Sequence, residues 1–114
     1  MIELSKKTRK ELRKLKEKAY AIELDQYLLK LSCSFDDWKN KKIDCWALRD
    51  LLHDFHQGIS RNLYNAYNVR SVDDVYMVSR ALAIGLLQKE EIPSEALEVV
   101  ERSAATFFDA KQEH

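Results

Sequence analysis

A chain of 114 residues with 46% hydrophobic and 33% charged side chains is the length of one domain with an ordinary core, which excludes a multidomain enzyme. Two Gly and one Pro leave too little material for hairpin turns, glycine-rich phosphate loops or linkers, so long helices with short connections are expected. Nineteen basic and nineteen acidic side chains sum to zero, which argues against a dedicated nucleic-acid protein held by bulk electrostatics. The charge is uneven, however. Residues 1–18 hold eight Lys/Arg and three Glu, a local +5, and residues 88–114 hold three basic and seven acidic groups, a local −4.

In chain order, Thr8-Arg9-Lys10-Glu11 has capping-box spacing, and Leu12, Leu15, Ala19 and Ile22 follow at helical steps, continued by Leu24, Tyr27, Leu28 and Leu31. This predicts a long first helix over about 9–32. Its early turns are too charged for more than one narrow buried stripe, so the N-terminal part is expected to project or to pack against a second chain through Leu12, Leu15 and Ala19. Ser34-Phe35-Asp36-Asp37 reads as the cap of a short second helix that ends in Lys39-Asn40-Lys41-Lys42. Asp44 then caps a helix to about Arg61 whose apolar stripe is Cys45, Leu48, Leu52, Phe55 and Ile59, with Gly58 weakening its end. Asn62, Asn65 and Asn68 mark a turn-prone connection. Ser71-Val72-Asp73-Asp74 opens a helix bearing Val75, Tyr76, Val78, Leu82 and Leu86, with Gly85 in its last turns. Pro93-Ser94 restarts the chain into a final helix lined by Ala96, Leu97, Val100, Ala104, Phe107 and Phe108.

The expected architecture is all-α: one domain over 1–114, with a long helical part over about 5–64 and a smaller helical end over about 70–110. Cys33 and Cys45 form no metal-like pair and are expected to be reduced and partly buried, and no apolar leader or membrane span is evident. A soluble, cytoplasmic protein without a cofactor or membrane partner follows as the expectation.

The chemistry-bearing residues gather on the helix after Asp44. Trp46, Asp50, His53 and Gln57 recur at steps of four, three and four, so they share a face away from the apolar stripe. An exposed indole beside a carboxylate and an imidazole is the composition of a protein-binding hot spot. Asp50, His53, Asp54 and His56 also have one-turn spacings that suit a metal, but no Cys/His cluster elsewhere supplies further ligands, so no metal is expected. Arg49-Asp50 followed by His56 fits the Arg-polar-gap-His spacing of the HEPN ribonucleases, in which an Arg would stabilise phosphate and a His would transfer a proton. The pairs Asp36/Asp37, Asp73/Asp74 and Glu90/Glu91 fall at helix starts or turns, where carboxylates meet the helix dipole. No nucleophile elbow, phosphate loop or zinc-protease motif is present.

The order of several fragments is similar to the fluorescence recovery protein family of cyanobacteria and its relatives in other bacteria. The fragments are Lys18-Ala19-Tyr20, Glu23-Leu24-Asp25, Trp46-Ala47-Leu48 with Asp50 and Phe55, Tyr67 to Arg70, and Gly85-Leu86 with Glu90-Glu91. About one extra helical turn lies between Trp46 and Tyr67. The resemblance implies an all-helical homodimer in which the long first helix and the Trp-bearing helix pack across the interface. It also implies a non-enzymatic regulator that binds photoactivated orange carotenoid protein and speeds its return to the orange state, ending photoprotective quenching. The family's Trp and Asp fall on Trp46 and Asp50, whereas its His position is Arg49 and its Arg position is His56. The expected partner-binding residues are therefore Trp46, Arg49, Asp50, His53 and His56, with a different protein partner as the alternative target. A ribonuclease using Arg49 and His56, or docking to nucleic acid or membrane through the Lys6 to Lys18 face, are the readings from other classes.

Overall fold

A computed structural model describes residues 4–69 and 73–112, with side chains through 107; all regular structure in this part is helical. Helix α1 runs Lys6–Lys39, α2 Cys45–Asp54, a π-helical segment Phe55–Ser60, α3 Arg61–Tyr67, α4 Asp74–Ala83, a short 3-10 turn Lys89–Glu91, and α5 Ser94–Gln112.

Helix α1 is longer at both ends than its periodicity predicts. Its cap is Ser5, whose hydroxyl accepts from the Thr8 amide at 3.2 Å, so Thr8 lies inside the first turn. At the other end, Ser34-Phe35-Asp36-Asp37 starts no new helix. With no Gly or Pro before residue 58, the cap-like side chains meet an unbroken backbone ladder and the helix continues. It stops at Lys41, which takes a left-handed φ of 61° while Lys41 donates to the Trp38 carbonyl and Lys42 to the Asp37 carbonyl. That pairing is a Schellman closure with a lysine where glycine is favoured.

Two compact units form along the chain. One comprises the residues up to Tyr20 together with those from 70 on, and the other is Ala21–Val69. In the first, Leu12 and Ala19 of α1 are buried with Met77, Val78 and Ala81 of α4, Leu86, Leu87 and Ile92 of the connection, and Ala96, Val100 and Ala104 of α5. Asp73 caps α4 by accepting from the Tyr76 amide at 2.8 Å, while Ser71 and Val72 lie outside the described residues. Gly85 sits past the end of α4, not within it: at φ 85° its amide donates to the Leu82 carbonyl while Leu86 donates to Ala81, which turns Leu86 and Leu87 into the core. Tyr76 and Phe107 pack at 5.1 Å between ring centroids, joining α4 to α5. Phe108 falls outside the residues whose side chains are described.

Polar side chains fix α1 within this unit. Glu95 of α5 accepts from the Ser5 amide and hydroxyl, each at 2.8 Å, and from the Thr8 hydroxyl. A carboxylate therefore sits at the positive end of α1, whose own first turn has no acidic residue. These bonds hold the Glu95 carboxyl below its ordinary range, the Thr8 hydroxyl first and the Ser5 donors next. Asp74 takes Lys16 at 3.0 Å and Arg13 at 3.8 Å, and Lys18 bonds Glu91.

The second unit is a helical hairpin with little core. Only Leu48, Leu63 and Tyr67 are its buried apolar residues, and the Tyr67 hydroxyl donates to the buried Glu23 carboxylate of α1 at 2.7 Å. The helix from Asp44 does not end near Arg61. Asn62 and Asn65 are helical, and the rod continues through the π segment to Asn68. A continuous α-helix from Leu48 to Tyr67 would rotate Tyr67 about 100° off the Leu48 face. The π segment absorbs one extra residue and brings Leu63 and Tyr67 back to that face.

Candidate functional site: an exposed tryptophan face

Asp44 accepts from the Ala47 amide at 2.8 Å and so fixes the start of α2, placing Trp46 in its first turn. The indole is 62% exposed. The Arg49 guanidinium lies 5.0 Å from the centre of the Trp46 ring, and its Nη2 donates to Asp50 Oδ1 at 3.2 Å. The aromatic ring is thus backed by a cation that a neighbouring carboxylate orients. Both charged side chains remain 67% exposed, so the pair contributes little to stability. His53 and His56 are exposed as well, His53 one turn beyond Asp50 and His56 within the π segment. All five expected partner-binding residues therefore lie on the solvent side of one helical rod.

The three residues expected to meet a second chain are placed otherwise. Leu12 and Ala19 are 1% and 0% exposed within the chain's own first unit, and Leu15 is half-buried, so this stripe is spent on the intramolecular core. Sequence reasoning took a charged helix to lack an intrachain partner; α4 and α5 supply it. Cys33 and Cys45 are exposed where partial burial is expected.

Uncovered apolar surface lies elsewhere. Of the eleven large hydrophobic residues exposed among the described residues, nine belong to the Ala21–Val69 unit: Leu28, Leu29, Trp38, Trp46, Leu51, Leu52, Ile59, Tyr64 and Val69. Leu51 and Leu52 flank Leu48 on either side of the helix. The sequence reading assigned Leu52 and Ile59 to a covered stripe and missed this surplus. The apolar series Phe55, Ile59, Leu63, Tyr67, whose repeated four-residue steps outrun a 3.6-residue turn, marks the π segment.

An open cavity of about 310 Å³ lies at the hairpin tip, lined by Trp38, Lys41, Lys42, Ile43 and Asp44, with neither Arg49 nor His56 in its walls. Among the described residues no three His, Cys, Asp or Glu side chains converge on a metal position, and no helix is long and apolar enough to cross a membrane. No protein-family model, curated protein or solved structure matches the chain.

Proposed function

We propose that this chain is a non-enzymatic regulator that acts by binding protein. It pairs with a second copy through the uncovered apolar surface of the Ala21–Val69 unit and engages its target through Trp46, Arg49, Asp50, His53 and His56. One observation carries the reading: a unit with three buried apolar residues leaves nine large ones exposed. Two helices bury only the seam between them, and the apolar side chains left beside it, Leu51 and Leu52 among them, are what a second copy would cover. Trp46, backed by Arg49 and Asp50, is the anchor expected on the separate target face.

The resemblance to fluorescence recovery proteins supplies the named target, photoactivated orange carotenoid protein; the alternative is a different protein partner on the same face. A regulator of this kind must hold the compact or transition conformation of its target more tightly than the active one, and a tenfold faster return needs about 1.4 kcal/mol of such preference. The test is the dark reversion rate of photoactivated orange carotenoid protein measured alone, with this protein, and with Trp46→Ala. The expected result is acceleration that the variant abolishes. No acceleration by the folded wild-type chain contradicts this target.

A further inference from the structure

The first turns of α1 carry a second, separate surface. Thr8, Leu12 and Ala19 face the core, and at 3.6 residues per turn Lys6, Lys7, Arg9, Lys10, Arg13 and Lys14 cover about 160° of the opposite side. All six are exposed. The acids that α4, α5 and their connection bring to α1 are engaged elsewhere: Asp74 takes Lys16 and Arg13, Glu91 takes Lys18, and Glu95 caps the helix, which leaves Glu11 of α1 as the one acid among the six cations. Among the described residues Lys6, Lys7, Arg9, Lys10 and Lys14 have no ion-pair partner.

This arrangement opposes the helix's own stability in two ways. Lys6, Lys10 and Lys14 form a ladder of like charges one turn apart, with Arg9 and Arg13 a second such pair beside it. The cations also crowd the positive end of the helix dipole. A bound polyanion relieves both repulsions. The zero net charge of the whole chain does not cancel the local field, because exposed charges farther away than the Debye length, about 8 Å at physiological salt, are largely screened.

We propose that this face docks on the phosphate backbone of duplex nucleic acid, with α1 in the major groove and no sequence preference. A helix about 10–12 Å across fits a groove about 12 Å wide, whose two phosphate walls meet cations on both flanks of the rod. A flat anionic membrane reaches only the outermost line of side chains, and the apolar side of α1 that would insert is buried in the core. No aromatic residue lies between Ser5 and Ala19 to stack on single-stranded bases. The Trp46 face plays no part, so this proposal stands whatever the target of that face.

The experiment is fluorescence anisotropy of two unrelated labelled duplexes of about 20 base pairs with the full chain, from about 50 to about 200 mM salt. Both duplexes are expected to bind equally, with a log–log salt slope between about −3 and −5, near −0.9 for each of the free cations. The triple variant Lys6→Glu, Lys10→Glu, Lys14→Glu is expected to lose at least about tenfold in affinity with an unchanged or raised Tm, since it sets carboxylates one turn from Arg9, Arg13 and Lys18 and at the positive end of the helix dipole. A control of the same charge change, Lys39→Glu, Lys41→Glu, Lys42→Glu, is expected to lose about threefold or less. No duplex binding at the lowest salt, equal losses in the two triple variants, or binding only to phosphatidylserine vesicles would each overturn the proposal.

Discussion

At the residue scale, four side chains hold positions whose chemistry makes a measurable demand. Lys41 adopts a left-handed backbone to close α1, a conformation that a Cβ disfavours. Lys41→Gly is expected to raise stability by about 1 kcal/mol, read as a shift of the urea midpoint without a change of slope. Tyr67 is 2% exposed and gives its hydroxyl proton to the buried Glu23. Tyr67→Phe keeps the ring but withdraws that donor, and is expected to cost about 1–3 kcal/mol in the same measurement. Glu95 and Glu91 both have lowered carboxyl pKa values, Glu95 through the Thr8 hydroxyl and the Ser5 donors, Glu91 through Lys18 and the Gln88 amide. A carboxyl whose pKa falls on folding adds stability that is fully present above its unfolded value, near 4.5, and lost as pH drops through the folded value. Thermal melts are therefore expected to show an acid-side loss beginning near that pH, which the double variant Glu91→Gln, Glu95→Gln flattens. An acid limb of the same steepness in the variant would assign the loss to other carboxylates.

At the element scale, the sequence spells out the starts of helices better than their continuity. Asp44, Asp73 and Pro93-Ser94 mark true beginnings, because a side chain accepting the third amide, or a fixed proline φ, acts over one turn. Ser34, Asn62 and Asn65 carry the same local signals, yet they lie inside α1 and α3, where the ladder on either side outweighs them. The π segment was legible only as the run of four-residue steps from Phe55 to Tyr67. Its extra residue sits among exposed or half-buried side chains, and a Cβ on Gly58 would meet nothing within 4 Å. Gly58→Ala is expected to stabilise by about 0.5–1 kcal/mol. Deleting Gly58 should turn the segment into ordinary α-helix and keep Tyr67 on Glu23, leaving helix content and Tm nearly unchanged. An Ala inserted after Gly58 should instead rotate Tyr67 by about a further 100° and lower Tm, and equal tolerance of both changes would contradict this account of the register.

At the scale of the whole molecule, the two units divide unequally. Among the described residues, the unit up to Tyr20 and from 70 on buries eleven apolar residues, whereas Ala21–Val69 buries three and exposes nine large ones. The Trp46 face was legible in the sequence because one helix carries it and its spacing alone fixes its direction. The interface stripe was not, since Leu12 and Ala19 look unpartnered until helices more than fifty residues away close over them. Burial is set by the tertiary partner, which periodicity along one helix does not identify. The surplus in the second unit appears only once Leu51 and Leu52 are seen on both flanks of a narrow seam.

That surplus is the basis for reading the chain as a protein-binding molecule, and its solution mass is the most direct test. Sedimentation equilibrium of the wild-type chain is expected to give twice its 13.4 kDa mass. The double variant Leu51→Glu, Leu52→Glu, at positions 41% and 38% exposed, should sediment as a folded monomer with helix content retained. A wild-type chain that is monomeric across the accessible concentration range, or a variant that remains a dimer, would contradict the claim that this apolar surface binds a second copy.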